Sequence, residues 1–150
     1  MLKLSRKTLL ALEAVIDIAF NARPEPVQAK EITARQGVPQ RYLEQVMQQL
    51  VRAGVLKGVR GPRGGYRLAK ERRRITVGDI VRVAESIDDG NGEDAKPRSD
   101  LGAHIVAPLI QDLQAKVMAE LDNTSIEDLC QRARAAGVDC GGRAAADFTI

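Results

Sequence analysis

The spacing of apolar side chains predicts a chain built mainly from amphipathic helices. Over residues 5–22 apolar side chains recur every three or four positions, and Pro24 and Pro26 end the run. A second run covers about residues 108–121, where apolar residues fall four apart along one stripe: Leu109, Leu113, Val117 and Leu121. Both spacings are those of a helix with one buried face and one face in water.

Two helical stretches separated by a glycine predict a helix-turn-helix. Residues 29–36 form a short helix that Gly37 closes, because glycine readily adopts the left-handed conformation after a helix. Pro39 suits the first position of the following helix, which runs to about Ala53 and stops before Gly54. The short connection between the two helices is typical of the DNA-binding motif.

A glycine-rich turn between two short apolar segments predicts a hairpin. Residues 55–59 and 66–69 are the strand candidates, and residues 61–65 between them hold three glycines and one proline. A hairpin that directly follows a helix-turn-helix is the wing of a winged-helix domain.

Two short polar patterns predict the starts of later helices. Thr76 with Asp79 resembles a helix start, although Asp is the weaker partner in a capping box. Thr124 with Glu127 matches a capping box for a last helix that ends at about Ala136.

Composition and charge narrow the classes of function. The 150 residues include no Trp, two Phe and two Tyr, so the core must be built from Leu, Ile, Val and Ala. No apolar run approaches the roughly 18 residues of a membrane span, and the N-terminus lacks the apolar stretch of a signal peptide. We therefore expect a cytoplasmic protein.

Positive charge is concentrated in the first part of the chain. Residues 1–85 hold 17 Lys and Arg against 8 Asp and Glu, whereas residues 86–150 hold 6 against 12. Between Arg35 and Arg74 the balance is 11 to 2. Such a block suits the phosphates of duplex DNA, although a solvated basic face would give the same count.

The second helix of the motif has an apolar and a polar face. Its inward face is expected to hold Tyr42, Leu43, Val46, Met47 and Leu50. Its outward face is expected to hold Gln40, Arg41, Glu44, Gln45 and Gln48. Gln can pair with adenine, and Glu can accept from cytosine while it repels phosphate, so Glu44 is a candidate specificity filter. The competing interpretation is a solvated face that contacts no base.

The candidate wing carries arginine on both sides of its turn. Arg60 and Arg63 flank Gly61, which allows tight backbone geometry, and Pro62, which stiffens the tip. Arginine on such a tip can enter a narrow minor groove, where the negative potential is strongest. A phosphate-cradling loop also favours glycine, but the nucleotide-binding patterns Gly-Lys-Ser/Thr and Gly-x-Gly-x-x-Gly are missing here.

Few residues are candidates for metal or redox chemistry. His104 is the only histidine, and Asp100, four residues before it, is a commonplace neighbour. Cys130 is most simply a small buried hydrophobe, whereas Cys140 lies in the tail, where exposure could make it reactive. Their separation matches no zinc or iron–sulfur spacing, so redox sensing by the pair is a minor alternative.

Three segments together resemble the IscR-like (Rrf-two) family of bacterial transcription regulators. They are Arg41–Gln45 (RYLEQ), Arg60–Leu68 (RGPRGGYRL) and Ile75–Ile80 (ITVGDI). The resemblance covers about residues 4–136 in order and spacing. It implies winged-helix dimers in which the long helix, here about residues 108–121, crosses that of the partner subunit.

The resemblance also implies roles for single residues. Tyr42, Glu44 and Gln45 would lie in the DNA-reading helix, and Arg60 in the wing that enters the minor groove. Arg63 departs from the family pattern, because many relatives have glycine there. It should add a cation to the wing.

The cofactor is the larger departure from the family. Many members carry three cysteines before the dimerisation helix and bind an iron–sulfur cluster, but residues 86–103 hold no cysteine. Some relatives use acidic and histidine ligands from the first helix, where this chain offers Ser5, Thr8, Leu9 and Leu12. The resemblance therefore implies DNA binding and dimerisation without a conventional cluster, and it leaves an unconventional cluster open.

The sequence as a whole predicts a mainly α fold with a small β-wing. Its expected parts are a winged helix-turn-helix domain over 1–86, an acidic linker over 87–100, dimerisation helices over 101–137 and a flexible tail over 138–150. The expected function is a homodimeric, DNA-binding transcription regulator that acts as a repressor. By resemblance to regulators of cysteine status, control through a complex with a metabolic enzyme is the alternative. No nucleophile–base pair is visible, so we do not expect an enzyme.

Overall fold

The computed structural model describes residues 4–21, 25–88 and 98–138. Within these ranges it is mainly helical, with one antiparallel pair of strands, as the sequence predicts. The elements in chain order are α1 (Arg6–Phe20), α2 (Ala29–Gln36), α3 (Gln40–Arg52), β1 (Leu56–Val59), β2 (Gly65–Leu68), α4 (Val77–Asp88), α5 (Ala107–Asp122) and α6 (Ile126–Ala135).

The core forms around α1, which packs against α3, α4, α6 and β2. The largest fully buried apolar side chains of the core come from all six helices except α5, from β1 and from the segment before α4: Val15, Ile32, Leu43, Val46, Met47, Leu50, Leu56, Ile75, Ile80, Val81 and Ile126. The predicted inward face of α3 is confirmed for Leu43, Val46, Met47 and Leu50, while Tyr42 is half-buried at the edge of the core. Aliphatic burial therefore holds the fold together, as the composition predicts.

A buried carboxylate fixes the helix-turn-helix to the core. Asp17 in α1 is almost fully buried and accepts hydrogen bonds from Arg35 at 2.9 and 2.6 Å and from the Gln36 amide at 3.0 Å. A buried charge without such partners is strongly unfavourable, so this network orients the end of α2 with respect to α1.

Capping explains where the later helices begin. The Thr76–Asp79 box is confirmed, with both reciprocal hydrogen bonds at 3.1 Å. The Thr124–Glu127 box is wrong, because the pair that closes is Ser125 with Asp128, at 3.0 and 3.1 Å. The Thr124 hydroxyl instead donates to the Glu120 carbonyl at 3.2 Å and belongs to the end of α5. The cap therefore lies one residue later than predicted.

The helix that leads into α5 begins earlier than about Pro108. Helical backbone is present from Asp100, and residues Gly102–Val106 form a π-helical turn. Proline has no N–H, and its ring clashes with the carbonyl four residues before it, so an ordinary helix is disrupted at this point. The wider turn accommodates Pro108 without ending the helix. Of the predicted linker and tail, residues 89–97 and 139–150 lie outside the described residues.

The last two helices have different surroundings. Backbone hydrogen bonds from Val77 to Thr124 and from Ile126 to Ile75, both 2.8 Å, join the start of α6 to the start of α4. Ile126 and Cys130 on α6 are buried in the common core. The structure thus joins α6 to the winged-helix body, although the sequence groups it with α5. No described helix is long and apolar enough to cross a membrane.

Candidate nucleic-acid interface

The start of α3 presents a polar surface beside the turn of the helix-turn-helix. Gly37 adopts the left-handed conformation (φ 67°) after α2, and Pro39 then directs the chain into α3. Of the six α3 residues predicted to contact DNA, four are exposed: Gln40, Arg41, Gln45 and Gln48. The other two, Tyr42 and Glu44, are half-buried.

The side chain of Glu44, on α3, is close to the wing. The Gln40 amide donates to its carboxylate at 3.0 Å, so two candidate base-reading side chains bond each other in the free protein. The pKa of Tyr66 in β2 is raised by burial and, to a smaller degree, by the negative charge of Glu44. The carboxylate is therefore close enough to the wing for its charge to act on a β2 side chain.

The hairpin has the predicted wing geometry. β1 and β2 pair antiparallel with Leu56 opposite Leu68 and Val59 opposite Gly65. Gly61 has φ 113°, a conformation that favours glycine, and its carbonyl accepts from the Gly64 N–H at 2.9 Å. The tip residues are all exposed: Arg60, Gly61, Pro62 and Arg63.

A third extended segment, which no sequence pattern predicts, anchors the wing. Val27, between α1 and α2, exchanges two backbone hydrogen bonds with Tyr66, at 2.9 and 2.7 Å. A Cβ at Gly65 would lie 2.5 Å from the Val27 carbonyl oxygen, so a side chain cannot be accommodated there. A single paired residue has no periodicity, which is why pattern reasoning missed Val27.

The wing and its surroundings carry further cations that the sequence analysis does not single out. Lys57 and Arg67 are register partners on the exposed side of the hairpin, and Arg73 and Arg74 are exposed beyond it. Their exposed positive charges add to the basic surface around the wing.

Not every arginine of the basic block faces outward. Arg35 binds the buried Asp17, and Arg72 forms an ion pair with Glu127 of α6 and donates to the Ala19 carbonyl at 3.5 Å. These two arginines hold helices together. The charge count alone therefore overstates the number of cations available to a ligand.

The apolar stripe on α5 is exposed, and it is longer than predicted. The exposed fractions are 55% for Leu109, 37% for Leu113 and 46% for Val117, whereas Leu121 is half-buried. Ile105 and Leu101, about one and two turns before Leu109, extend the stripe and are also exposed. A contiguous apolar surface of this kind marks an interaction site.

Among the described residues, no three or more His, Cys, Asp and Glu side chains lie close enough together to hold a metal ion. Cys130 is buried, and burial raises the pKa of its thiol, which disfavours the reactive thiolate. His104 lies in the π-helical turn, and Cys140 lies outside the described residues.

Comparison with known proteins decides the family. A family model named Rrf2, described as "Iron-dependent Transcriptional regulator", matches residues 4–132. The chain is a member of the Rrf2 family of transcriptional regulators. The resemblance read from the sequence is thereby confirmed, and the matched proteins are regulators, not enzymes.

Individual Rrf2 relatives agree in sequence and in structure. The HTH-type transcriptional regulator IscR of Aliivibrio salmonicida is 33% identical over 129 residues, covering 85% of this chain and 77% of the relative. The structure of T. potens IscR matches with a TM-score of 0.73 and 33% identity, over 92% of this chain and 93% of the other. CymR, the global cysteine regulator of B. subtilis, matches with a TM-score of 0.68 and 32% identity, over 88% and 98%.

Proposed function

We propose that this Rrf2-family regulator binds duplex DNA as a cytoplasmic homodimer and represses transcription. The observation that carries the proposal is the exposure of Gln40, Arg41 and Gln45 on α3 together with the exposure of Arg60 and Arg63 at the tip of the wing. In this arrangement α3 enters the major groove and the wing tip reaches the adjacent minor groove. Two copies then bind half-sites about one helical turn, or a small multiple, apart.

The exposed stripe of α5 supports the dimer. Apolar side chains from Leu101 to Val117 lie along several turns of helix and keep between 37% and 68% of their surface exposed. A second α5 buries the same stripe on both subunits, as two-fold symmetry requires. The proposed interface residues are Leu109, Leu113, Val117 and Leu121, with Leu101 and Ile105 added.

The test first selects duplex sequences that the protein binds and then measures how tightly protein variants bind the selected duplex. A randomised duplex pool is enriched on the purified protein, and the selected duplex is then titrated by fluorescence anisotropy at two salt concentrations. We expect an inverted repeat and a steep loss of affinity with salt. Failure to enrich any sequence contradicts the proposal.

Two variants distinguish residues that add affinity for any duplex from residues that discriminate between base sequences. Arg60→Ala should weaken binding to selected and unrelated duplexes by a similar factor, because its cation acts on the groove potential. Glu44→Ala should reduce the penalty for single mismatches, each worth about 1–3 kcal/mol, and tighten nonspecific binding. Arg132→Ala, an exposed change on α6, is the control. An unchanged mismatch panel for Glu44→Ala rejects the filter hypothesis.

The regulatory signal is proposed to act without a conventional iron–sulfur cluster. The support is the absence of a ligand group among the described residues and of cysteine from residues 86–103. An absorption spectrum of protein purified without oxygen, with iron and sulfide assayed on the same sample, tests this. Stoichiometric iron and sulfide contradict it and make His104, Cys130 and Cys140 the first ligands to replace.

The similarity to CymR, a global cysteine regulator, favours a second candidate, a regulator of cysteine metabolism. For this candidate we propose control through a complex with a metabolic enzyme, which the family resemblance implies. A pulldown of cell extract on the immobilised protein, with and without operator duplex, tests this candidate. A metabolic enzyme retained only without the duplex supports it, and a set of retained proteins that the duplex does not alter contradicts it.

A further inference from the structure

A groove of about 650 Å³ opens between the N-terminal half of α1 and the turn of the helix-turn-helix. We refer to it as the α1–turn groove. Leu9 and Glu13 of α1 line one wall, and Val38, Pro39 and Tyr42 line the other. The volume is in the range of pockets that hold small organic ligands.

The middle of the groove is apolar. Leu9 is 49% exposed, although its neighbours Leu10 and Ala11 are buried in the core. Val38 and the half-buried ring of Tyr42 face it from the turn and from α3. An apolar ligand body would remove this surface from water.

The two ends of the groove carry opposite charges. Arg6 and Glu13 both line it, seven residues apart and therefore on the same side of α1, about 10 Å from each other along the helix axis. Both side chains are exposed. A guanidinium at one end selects a carboxylate or sulfonate, and a carboxylate at the other selects a hydroxyl or amine donor. One carboxylate facing a guanidinium is a poor donor set for a metal ion.

We propose that the α1–turn groove is an effector site for a small organic acid with an apolar body. Its anionic group pairs with Arg6, its body covers Leu9, and a hydrogen-bond donor at its far end meets Glu13. The regulatory part of this inference rests on the proposed DNA binding, whereas the binding part does not.

The groove is placed to act on the DNA-reading surface. Its lining includes Gln36, whose amide binds the buried Asp17, and Gly37 and Pro39, which set the direction of α3. A ligand that contacts both α1 and this turn changes the position of Gln40 and Arg41 relative to the core. Operator affinity and ligand affinity must then change each other by the same factor.

The test uses 8-anilinonaphthalene-1-sulfonate, a fluorescent organic anion with an apolar body and an amine. We expect saturable binding to the folded protein and shifts of the Gly37 and Tyr42 amide resonances. Arg6→Glu and Leu9→Glu should each weaken binding at least tenfold, whereas Arg132→Glu, an exposed charge reversal on α6, should leave it unchanged. Saturating probe should change the dissociation constant for the selected duplex at least threefold in wild type and not in Leu9→Glu.

Several results would overturn the proposal. Undiminished binding to Arg6→Glu and Leu9→Glu, or loss of binding in Leu109→Glu alone, assigns the probe to the α5 stripe. Dissociation of the dimer by Leu9→Glu assigns the groove to the subunit interface. Bound probe without any change in operator affinity removes the regulatory role. A protein that binds probe in the groove but enriches no duplex contradicts the proposed function instead and leaves the groove as a ligand site.

Discussion

α5 and α6 are neighbours in the chain and differ in where their apolar residues lie. α6 buries Ile126 and Cys130 in the same core as α1 and forms an ion pair from Glu127 to Arg72. α5 packs on α4 and leaves Leu109 and Val117 about half exposed. Amphipathic spacing identifies both as helices, but it does not say whether the apolar face meets the same chain or another one.

The connection between the two helices explains the difference. Backbone hydrogen bonds at Thr124 and Ile126 hold the start of α6 against the start of α4, which directs α6 onto α1. Near its C-terminal end α5 is joined to α4 by the Arg82–Asp122 pair, at 2.8 and 2.5 Å. We therefore expect changes on α6 to act on folding and changes on α5 to act on association.

The largest effect is expected at Ile126. Ile126→Ala removes a fully buried side chain and should lower the free energy of unfolding by about 2–5 kcal/mol. Urea unfolding followed by circular dichroism measures it. Val138→Ala, at an exposed position after α6, is the matched control and should change stability by less than about 0.5 kcal/mol. Equal losses in both variants contradict the assignment of α6 to the core.

A charge on the α5 stripe should break the proposed dimer and leave the fold intact. Leu113→Glu would bury an unpartnered carboxylate on each side of the proposed two-fold interface, so the dimer dissociation constant should rise by at least about 100-fold. Gln111→Glu puts the same charge on the opposite side of α5 as a control. Sedimentation equilibrium reports the mass. Intact Leu113→Glu dimers with native helix content reject the interface.

The rate at which the Cys130 thiol is labelled measures how well the contact between α6 and the core excludes reagents. Because burial raises its pKa and blocks reagents, labelling in a Cys140→Ser background should be about 100-fold slower in native protein than in urea. The labelling reagent is an aromatic disulfide, and the reaction is followed by the absorbance of the aromatic thiol that it releases. Equal rates in the two conditions would make Cys130 accessible and restore it as a redox candidate.

The smallest effect is expected at the α4–α5 junction and depends on pH. The hydrogen bond from Arg82 lowers the pKa of Asp122 in the folded state, so its contribution is present above the unfolded pKa of about 3.9 and is lost as pH falls through the folded pKa. Arg82→Gln should slightly reduce the urea midpoint at pH 7, and the reduction should become smaller as the pH is lowered towards 2. An equal difference at both pH values contradicts the ion pair as the cause.

Local patterns were sufficient for most of the fold. The spacing of apolar residues identified α1, α3 and α5, and the glycines identified the turn at Gly37 and the hairpin. The capping box at α6 was placed one residue early because Thr124 and Ser125 are both acceptable caps. The competing bond from Thr124 to the Glu120 carbonyl depends on the three-dimensional end of α5.

Long-range contacts were outside the reach of sequence reasoning. The pairing of Val27 with Tyr66 and the binding of Arg35 by Asp17 join residues 39 and 18 positions apart, without periodicity. The candidate interface was anticipated at Gln40, Arg41, Gln45, Gln48 and the wing tip as an exposed surface. The half-burial of Glu44 is not predicted, because a helix pattern does not reveal a neighbouring hairpin. Its bond with Gln40, by contrast, is an i, i+4 pair within α3, which helical spacing allows.

The close approach of Gly65 to Val27 divides the wing into a fixed base and a replaceable tip. A side chain at Gly65 would collide with the Val27 carbonyl, whereas Pro62 and Arg63 are exposed in the turn itself. A library that retains Gly61, Gly64 and Gly65 and varies residues 62–63 would preserve the hairpin while it changes the side chains at the proposed minor-groove contact. Under the proposed DNA binding, new operator preferences can be selected on this hairpin.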